Sequence, residues 1–348
     1  MRWIAVLVIP LSLAAQDVYF KETPANPWVP AWELTLRADR IGWPEEGKSL
    51  VERESARLRL KWVWEGGPWS GSLATWAAVG SDGNQFNTLR YDQQPSNGAR
   101  LDAAWIQVRG ASDRGFVELR LGHQENPLLT QESLWDKDLR ITGASLRAAF
   151  RNETIQELGL RVSAGRVRTL VDGNVALAAA QAVAQFDTGP VTWTAHGGRW
   201  VLRWDTSDHR ERKLPGALTG TRQELIQDVV GAGATWHMTV PLELKAIRHR
   251  DPEYRDEGAE FQAWLGGRKR PWWPQVGYIW QRYEARGTLF PVNGDDWWFI
   301  ANARGPRYEL ALPLPGKWLI VATYVRQRSY AAWTYLVDRR LLQVIKRF

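Results

Sequence analysis

The sequence predicts an all-β fold, an antiparallel transmembrane β-barrel of about 16 strands, with about 14–18 as the range that soft strand boundaries allow. Three observations predict it. Strand-length segments alternate apolar and charged side chains, as in Ala56–Trp64, where Leu58, Leu60, Trp62 and Trp64 take one face and Arg57, Arg59 and Lys61 the other. Connections between such segments alternate short and long, the pattern of tight periplasmic turns and larger outer loops. No stretch approaches the ~20 apolar residues of a spanning helix, so a membrane form has to be a closed barrel.

Composition bounds the function. The 348 residues suffice for one large all-β domain or two ordinary ones. There is no cysteine, which excludes disulfides and thiolate metal sites. The net charge of +7 raises nucleic acid as a partner, but the charges are spread through alternating strands with no basic run, which argues against it. The 22 Trp residues suit a membrane–water interface, where the ring is buried and the N–H stays wet. A secreted, soluble all-β protein that binds carbohydrate on Trp platforms is the alternative from another class.

The chain opens with Met1-Arg2, an apolar run Trp3–Leu13 and the small residues Ala14-Ala15, which predict a cleaved secretory signal peptide over residues 1–15. Residues 16–30, with Pro24, Pro27 and Pro30, read as a periplasmic lead-in to a barrel over 31–348. The first two strands are Trp32–Asp39 and Ala56–Trp64. Glu65–Pro68 turns into Ser70–Val79, and a polar loop, Gly80–Gly98, leads to Arg100–Arg109. Gly110–Asp113 turns into Gly115–Gly122, and a long connection leads to Leu139–Phe150. Arg151–Thr154 turns into Ile155–Val167, a loop around Asp172-Gly173-Asn174 follows, and Val175–Phe186 turns through Asp187–Pro190 into Val191–Trp200. The longest loop runs from Val201 to about Gln227. Val229–Met238 turns at Val240-Pro241 into Leu242–Arg250, and an acidic loop to Gly258 precedes Ala259–Leu265. Gly266–Trp273 turns into Pro274–Glu284. A loop to about Ala303 precedes Arg307–Leu312, Pro313–Gly316 turns into Trp318–Arg328, and Trp333–Phe348 ends the chain. A soluble sandwich has no reason to alternate turn and loop so regularly.

The connection inside Gly115–Phe150 is long enough to be functional, and its Pro127, Leu128-Leu129 and Trp135 suit a packed loop. The stretch carries Leu121-Gly122, Gln124, Asn126-Pro127, then Trp135-Asp136 and Asp138, then Gly143-Ala144 and Leu146-Arg147. In that order these residues resemble a porin family of bacterial outer-membrane β-barrels. Its strand ends near LGxQxNP, its loop holds WDxD, and its next strand reads GAxLR. The C-terminal third, Tyr308–Val325 followed by a last strand ending in Phe348, is similar to the family's final strands, although Lys346 interrupts the apolar face and would have to snorkel. The resemblance implies an outer-membrane location. It also implies that the third outer loop folds inward to narrow the channel, with Glu132, Trp135, Asp136, Lys137 and Asp138 as the constriction. General porins are often homotrimers, and the resemblance leaves the oligomeric state open.

Catalytic chemistry finds little support. His123, His196, His209, His237 and His249 are scattered without metal-ligand spacing. There is no Gly-x-Ser-x-Gly elbow and no Gly-rich phosphate loop. The expectation is therefore no enzyme, no cofactor and no metal. Asp136 and Asp138 could pair on Ca²⁺, but Lys137 between them favours an ion-paired loop. Trp272-Trp273 at a turn reads as an interfacial girdle, whereas Trp297-Trp298 in an outer loop could be a plug or a ligand rim.

Sixteen strands leave an aqueous channel where about eight leave a filled core. The expected function is passive diffusion of small hydrophilic solutes. Leu58, Leu60, Trp62, Val117, Leu119, Leu158, Leu160, Leu242, Leu244, Tyr308 and Leu310 would face lipid. Arg57, Arg59, Lys61, Glu118, Arg120, Arg147, Arg161, Glu243, Lys245, Arg307 and Glu309 would form the lumen wall. Basic residues outnumber acidic ones on that wall, which suits anions. Glu132, Asp136 and Asp138 on the loop would set a transverse field against it. A barrel that inserts without conducting, and acts through its outer loops, is a further alternative.

Overall fold

The computed structural model describes residues 30–44, 48–80, 98–169, 173–204, 224–268, 270–289, 301–329 and 336–348. The expected signal peptide, the lead-in up to residue 29, His209 and Trp297-Trp298 lie outside the described residues.

The strands are β1 (Ala31–Trp43), β2 (Lys48–Gly66), β3 (Trp69–Gly80), β4 (Gly98–Ser112), β5 (Gly115–Gln124), β6 (Ile141–Phe150), β7 (Ile155–Thr169), β8 (Gly173–Asp187), β9 (Val191–Trp204), β10 (Glu224–Trp236), β11 (Leu242–Arg250), β12 (Glu257–Gly266), β13 (Gln275–Tyr283), β14 (Ala303–Leu314), β15 (Trp318–Ser329) and β16 (Leu336–Arg347). Each pairs antiparallel with its neighbours in sequence, and β1 pairs with β16, so the sixteen strands form one closed barrel. Among the described residues no helix is long and apolar enough to cross a membrane.

Alternation assigns the two faces. Leu36, Leu58, Val117, Leu119, Leu121, Leu158, Leu160, Tyr308 and Leu310 are exposed on the outside. Arg161, Arg307 and Glu309, at the opposite parity, are buried inside. Aromatic rings gather at the turn end of the outer face: Trp32, Trp64, Trp69, Phe150, Phe186, Trp193, Trp272 and Trp318 are all exposed there. This is the position of an interfacial girdle. Lys346 ends within it, with its Nζ 5.1 Å from the Trp318 ring and 5.0 Å from the Phe348 ring, and donates to the Gly316 carbonyl. The cation leaves the apolar band at its edge.

The seam between first and last strands is held on both sides. Outside, Phe348 stacks on Trp32 with centroids 3.5 Å apart, and its N–H donates to the Trp32 carbonyl at 3.0 Å. Inside, Asp39 of β1 accepts from Arg339 of β16 at 2.9 and 3.0 Å and from Arg53 of β2 at 2.9 Å.

Several strands rise further at the loop end than the periodicity predicts. β2 begins at Lys48 instead of Ala56, β9 continues through Trp204, β10 begins at Glu224 and β14 at Ala303. In these extensions the apolar-out, polar-in alternation is lost: Glu52 and Arg53 make both faces of β2 polar, and on β9 the buried Leu202 faces inward while Arg203 is exposed outside. The backbone ladder continues past the apolar band, but the continuous outward apolar face that reveals it does not.

Candidate functional site

The segment 125–140, between β5 and β6, is described throughout and lies against the inner wall. Three adjacent glycines accompany it. Gly122, Gly143 and Gly165 stand opposite one another on β5, β6 and β7. A Cβ on Gly143 would collide with the Ala164 carbonyl, and one on Gly122 with the Ala104 carbonyl. The strands approach more closely here than side chains allow.

From this base the segment is pinned in sequence. The Pro127 carbonyl accepts from Arg161 Nη1 at 2.9 Å. The Gln181 side-chain amide of β8 closes a double hydrogen bond with the Leu129 backbone, 2.8 Å each way. Ser133 N–H donates to Glu260 Oε2 of β12 at 2.7 Å, and the Ser133 carbonyl accepts from Thr288 Oγ1. His249 Nε2 of β11 lies 3.2 Å from Ser133 Oγ. Glu132 pairs with Arg307 of β14. Because these partners span β7 to β14, the segment crosses the barrel interior.

Its apolar side chains close one cluster with the wall. Leu128, Leu134, Trp135 and Leu139 pack with Ile141, Val167, Leu177, Trp200, Leu202, Leu225 and Ile247, and the rings of Trp135 and Trp200 are 5.9 Å apart. Burying such residues is worth roughly 1.5–3 kcal/mol each, so the segment is packed as well as hydrogen-bonded.

The charged residues form clusters. Glu157 is gripped by Arg161 at 2.7 and 2.9 Å and by Arg147. Glu309 pairs with Arg307 at 2.8 Å and with Arg268. Asp102 takes Arg59 and, at 3.1 Å, Arg140 from the segment. Lys245 meets Glu243 at 2.8 Å. Arg120 accompanies Glu118 at 3.7 Å, donates to Gln107 at 2.9 Å and lies 4.1 Å from the Trp105 ring centroid. Arg57 reaches Asp138 at 3.9 Å, Lys137 reaches Glu132 at 3.9 Å, and Lys61 reaches Glu125 at 3.6 Å. Asp136 is buried within the segment, where its Oδ1 accepts from the Asp138 N–H at 2.7 Å. Of the four carboxylates on the segment, Glu132 and Asp138 meet guanidiniums of the wall, Glu125 meets Lys61, and Asp136 caps a turn.

Two charges of the segment are tuned by their neighbours. Burial alone would raise the Glu125 carboxyl, but Lys61 and Arg140 outweigh it and hold the group down at about 2. Burial opposes the charge of Arg140 as well, yet Asp102, Glu125 and Asp138 overcome it and raise the guanidinium above its ordinary range.

Asp102, Arg140, Glu260 and Gln181 are anchors that alternation does not single out. Asp102 sits at a bulge, where the β3–β4 register jumps from Thr75↔Leu101 to Ala74↔Ala103. Both Asp102 and Ala103 are therefore buried, and the two-residue period breaks at that point.

No protein-family model and no curated protein matches the sequence. Solved structures do. The chain is similar to the high-pH structure of Pseudomonas putida OprB, with a TM-score of 0.63 and 12% identity over 92% of this chain and 94% of that one. The low-pH structure of the same protein gives a TM-score of 0.52 and 10% identity over 91% of both chains. A Rhodopseudomonas blastica porin triple mutant gives 0.45 and 10% identity over 92% of this chain and 100% of that one. The chain therefore has the closed sixteen-strand barrel fold of the outer-membrane porins.

Proposed function

We propose that the chain is an outer-membrane porin, a passive channel for small hydrophilic solutes narrowed by the segment 125–140. One observation carries the reading: a closed sixteen-strand barrel turns leucines and aromatic rings outward and charged side chains inward. Such a wall is stable only with lipid outside and water inside. Glu132, Trp135, Asp136, Lys137 and Asp138 lie on the segment that forms the constriction.

The channel leans toward anions. In three inner clusters one carboxylate is shared among several guanidiniums: Asp39 among Arg37, Arg53 and Arg339, Asp102 between Arg59 and Arg140, and Glu157 between Arg147 and Arg161. A surplus of fixed positive charge on a pore wall raises the local anion concentration. Liposome swelling tests the reading: vesicles holding the refolded protein should admit small sugars and anionic solutes, with rates that fall as solute size grows. Swelling no faster than that of empty vesicles would refute it.

A further inference from the structure

We propose that the inner wall of β9–β11 carries a binding site for a small zwitterion of the α-amino acid type, roofed by the segment 125–140. The inference deepens the channel reading above and rests on it for the solute's route to the site. On the turn-end side of the Gln181–Leu129 tie, a recess opens between the segment and the wall. Leu129, Thr130 and Gln131 form its roof, and Gly233 of β10 lies at its floor. In the sheet register Gly233 stands between Thr194 of β9 and Lys245 of β11, so the middle strand puts no side chain into the space between them. Two strand spacings set the backbones of the two walls about 9–10 Å apart. At the next inward position, Gly231 lets the His196 ring lie across β10, since a Cβ there would collide with His196 Nε2.

The β9 wall offers hydrogen bonds. The Leu129 N–H donates to Gln181 Oε1 and the Leu129 carbonyl accepts from Gln181 Nε2, so the segment backbone fixes the orientation of that amide. Gln181 Nε2 also faces His196 Nδ1 at 3.0 Å, which makes Nδ1 the acceptor and leaves the ring proton on Nε2. Neither this Nε2–H nor the Thr194 hydroxyl has a hydrogen-bond partner among the described residues.

The β11 wall offers a dipole. Lys245 Nζ and Glu243 Oε1 are 2.8 Å apart, both side chains are partly exposed, and neither has a further partner among the described residues. Two ammonium protons and one carboxylate oxygen are therefore open to a solute. Asp39, Asp102 and Glu157, by contrast, are buried between guanidiniums. The charged side chains that line the recess sum to zero, so a simple anion meets Glu243 and a simple cation meets Lys245. An α-amino acid carries both charges on one carbon. Laid antiparallel to the pair, it brings its carboxylate to Lys245 and its ammonium to Glu243, and a polar side chain then faces Thr194 and His196. Among the described residues no aromatic ring lines the recess, so no platform for a sugar ring or a base is present there.

Isothermal titration calorimetry on the full chain, refolded in detergent micelles at neutral pH, tests the proposal. The probes are serine, lactate without the ammonium, ethanolamine without the carboxylate, and glycerol without either. Wild type should bind serine saturably and each of the other three at least about tenfold more weakly. E243Q should lose at least about tenfold in serine affinity and bind lactate more tightly than wild type does. K245Q should lose as much for serine and gain for ethanolamine. A variant that merely loosens the wall would not shift the two probes in opposite directions. Heat-modifiable gel migration establishes that each variant is a folded barrel, and Thr194→Val on the opposite wall serves if the charge variants do not fold, with weaker serine binding expected. Absence of serine binding by folded wild type would overturn the proposal, as would serine affinity unchanged in E243Q and K245Q. Equal binding of serine and glycerol would overturn it in favour of a hydroxyl site, and tighter binding of lactate than of serine in favour of an anion site. Calorimetry needs no conductance, so serine binding to a barrel that does not conduct would support the site and count against the porin reading, whereas conductance without serine binding would overturn the site alone.

Discussion

Arg307 joins the inner wall to the segment that crosses it: one guanidinium nitrogen pairs with Glu132 and another with Glu309 at 2.8 Å. Both Arg307 and Glu309 are nearly inaccessible, and Glu132 is 175 residues away in sequence. The pair is thus a long-range tie, formed only once the barrel has closed.

Breaking that tie should loosen the segment without unfolding the barrel. Glu132→Gln leaves Arg307 with one carboxylate fewer, and Arg307→Gln removes both bonds. Each should cost about 1.5–3 kcal/mol of local stability. Limited proteolysis within residues 125–140 should accelerate and open-channel current noise should rise, while heat-modifiable migration persists.

Gly143→Val should damage the barrel itself. The new side chain would meet the Ala164 carbonyl and the Gly165 Cα, backbone atoms that cannot turn aside. A cost of at least about 1–3 kcal/mol is expected. Ala144→Val, one residue on and facing outward, should be near neutral. Denaturant titration of folding into vesicles measures both.

Outward positions should reject charge. Leu119→Arg places a guanidinium on the lipid face midway along β5 and should cost about 2–4 kcal/mol in the same titration.

The pH response of the segment follows from Glu125. Its carboxyl is held at about 2 in the folded protein against 4.5 unperturbed. A depressed folded value means that the stabilisation is fully present above about pH 4.5 and is lost as pH falls through about 2. Glu125's contribution to the proteolytic or exchange protection of 125–140 should therefore be constant down to about pH 4.5 and decline below it. Glu125→Gln should remove that part of the acid sensitivity.

Much of this architecture is legible in the sequence, for a physical reason. A strand with lipid on one side and water on the other must alternate, so Ala56–Trp64 and Gly115–Gly122 declare their faces locally. The strand number follows from counting such runs. The upper ends of β2, β9 and β10 escape because Glu52, Arg203 and Glu224 interrupt the outward apolar face there. The bulge at Asp102 escapes because it breaks the period. The anchoring of the segment escapes for another reason: Ser133 and Glu260 are 127 residues apart, and neither stands out in its own stretch. Only the closed register brings them together. Trp135 and Asp138 are exceptions, marked by the WDxD element, although the partners that hold them are not.

Charge selectivity should depend on the wall. Replacing Arg57, Arg59 and Arg120 together by Gln should lower the anion/cation permeability ratio toward unity. The wild-type preference should also weaken between about 0.1 M and 1 M salt, as the screening length falls from about 10 to 3 Å. An unchanged ratio in the triple variant would remove the wall from the account of selectivity.

The central claim is an open, water-filled barrel, and single-channel recording tests it most directly. The refolded chain in a planar bilayer, under a salt gradient, should show stable conductance steps with a reversal potential displaced toward the anion equilibrium value. Stable insertion without conductance would contradict the claim, because it would make the segment 125–140 a plug and leave the barrel without a path for solutes.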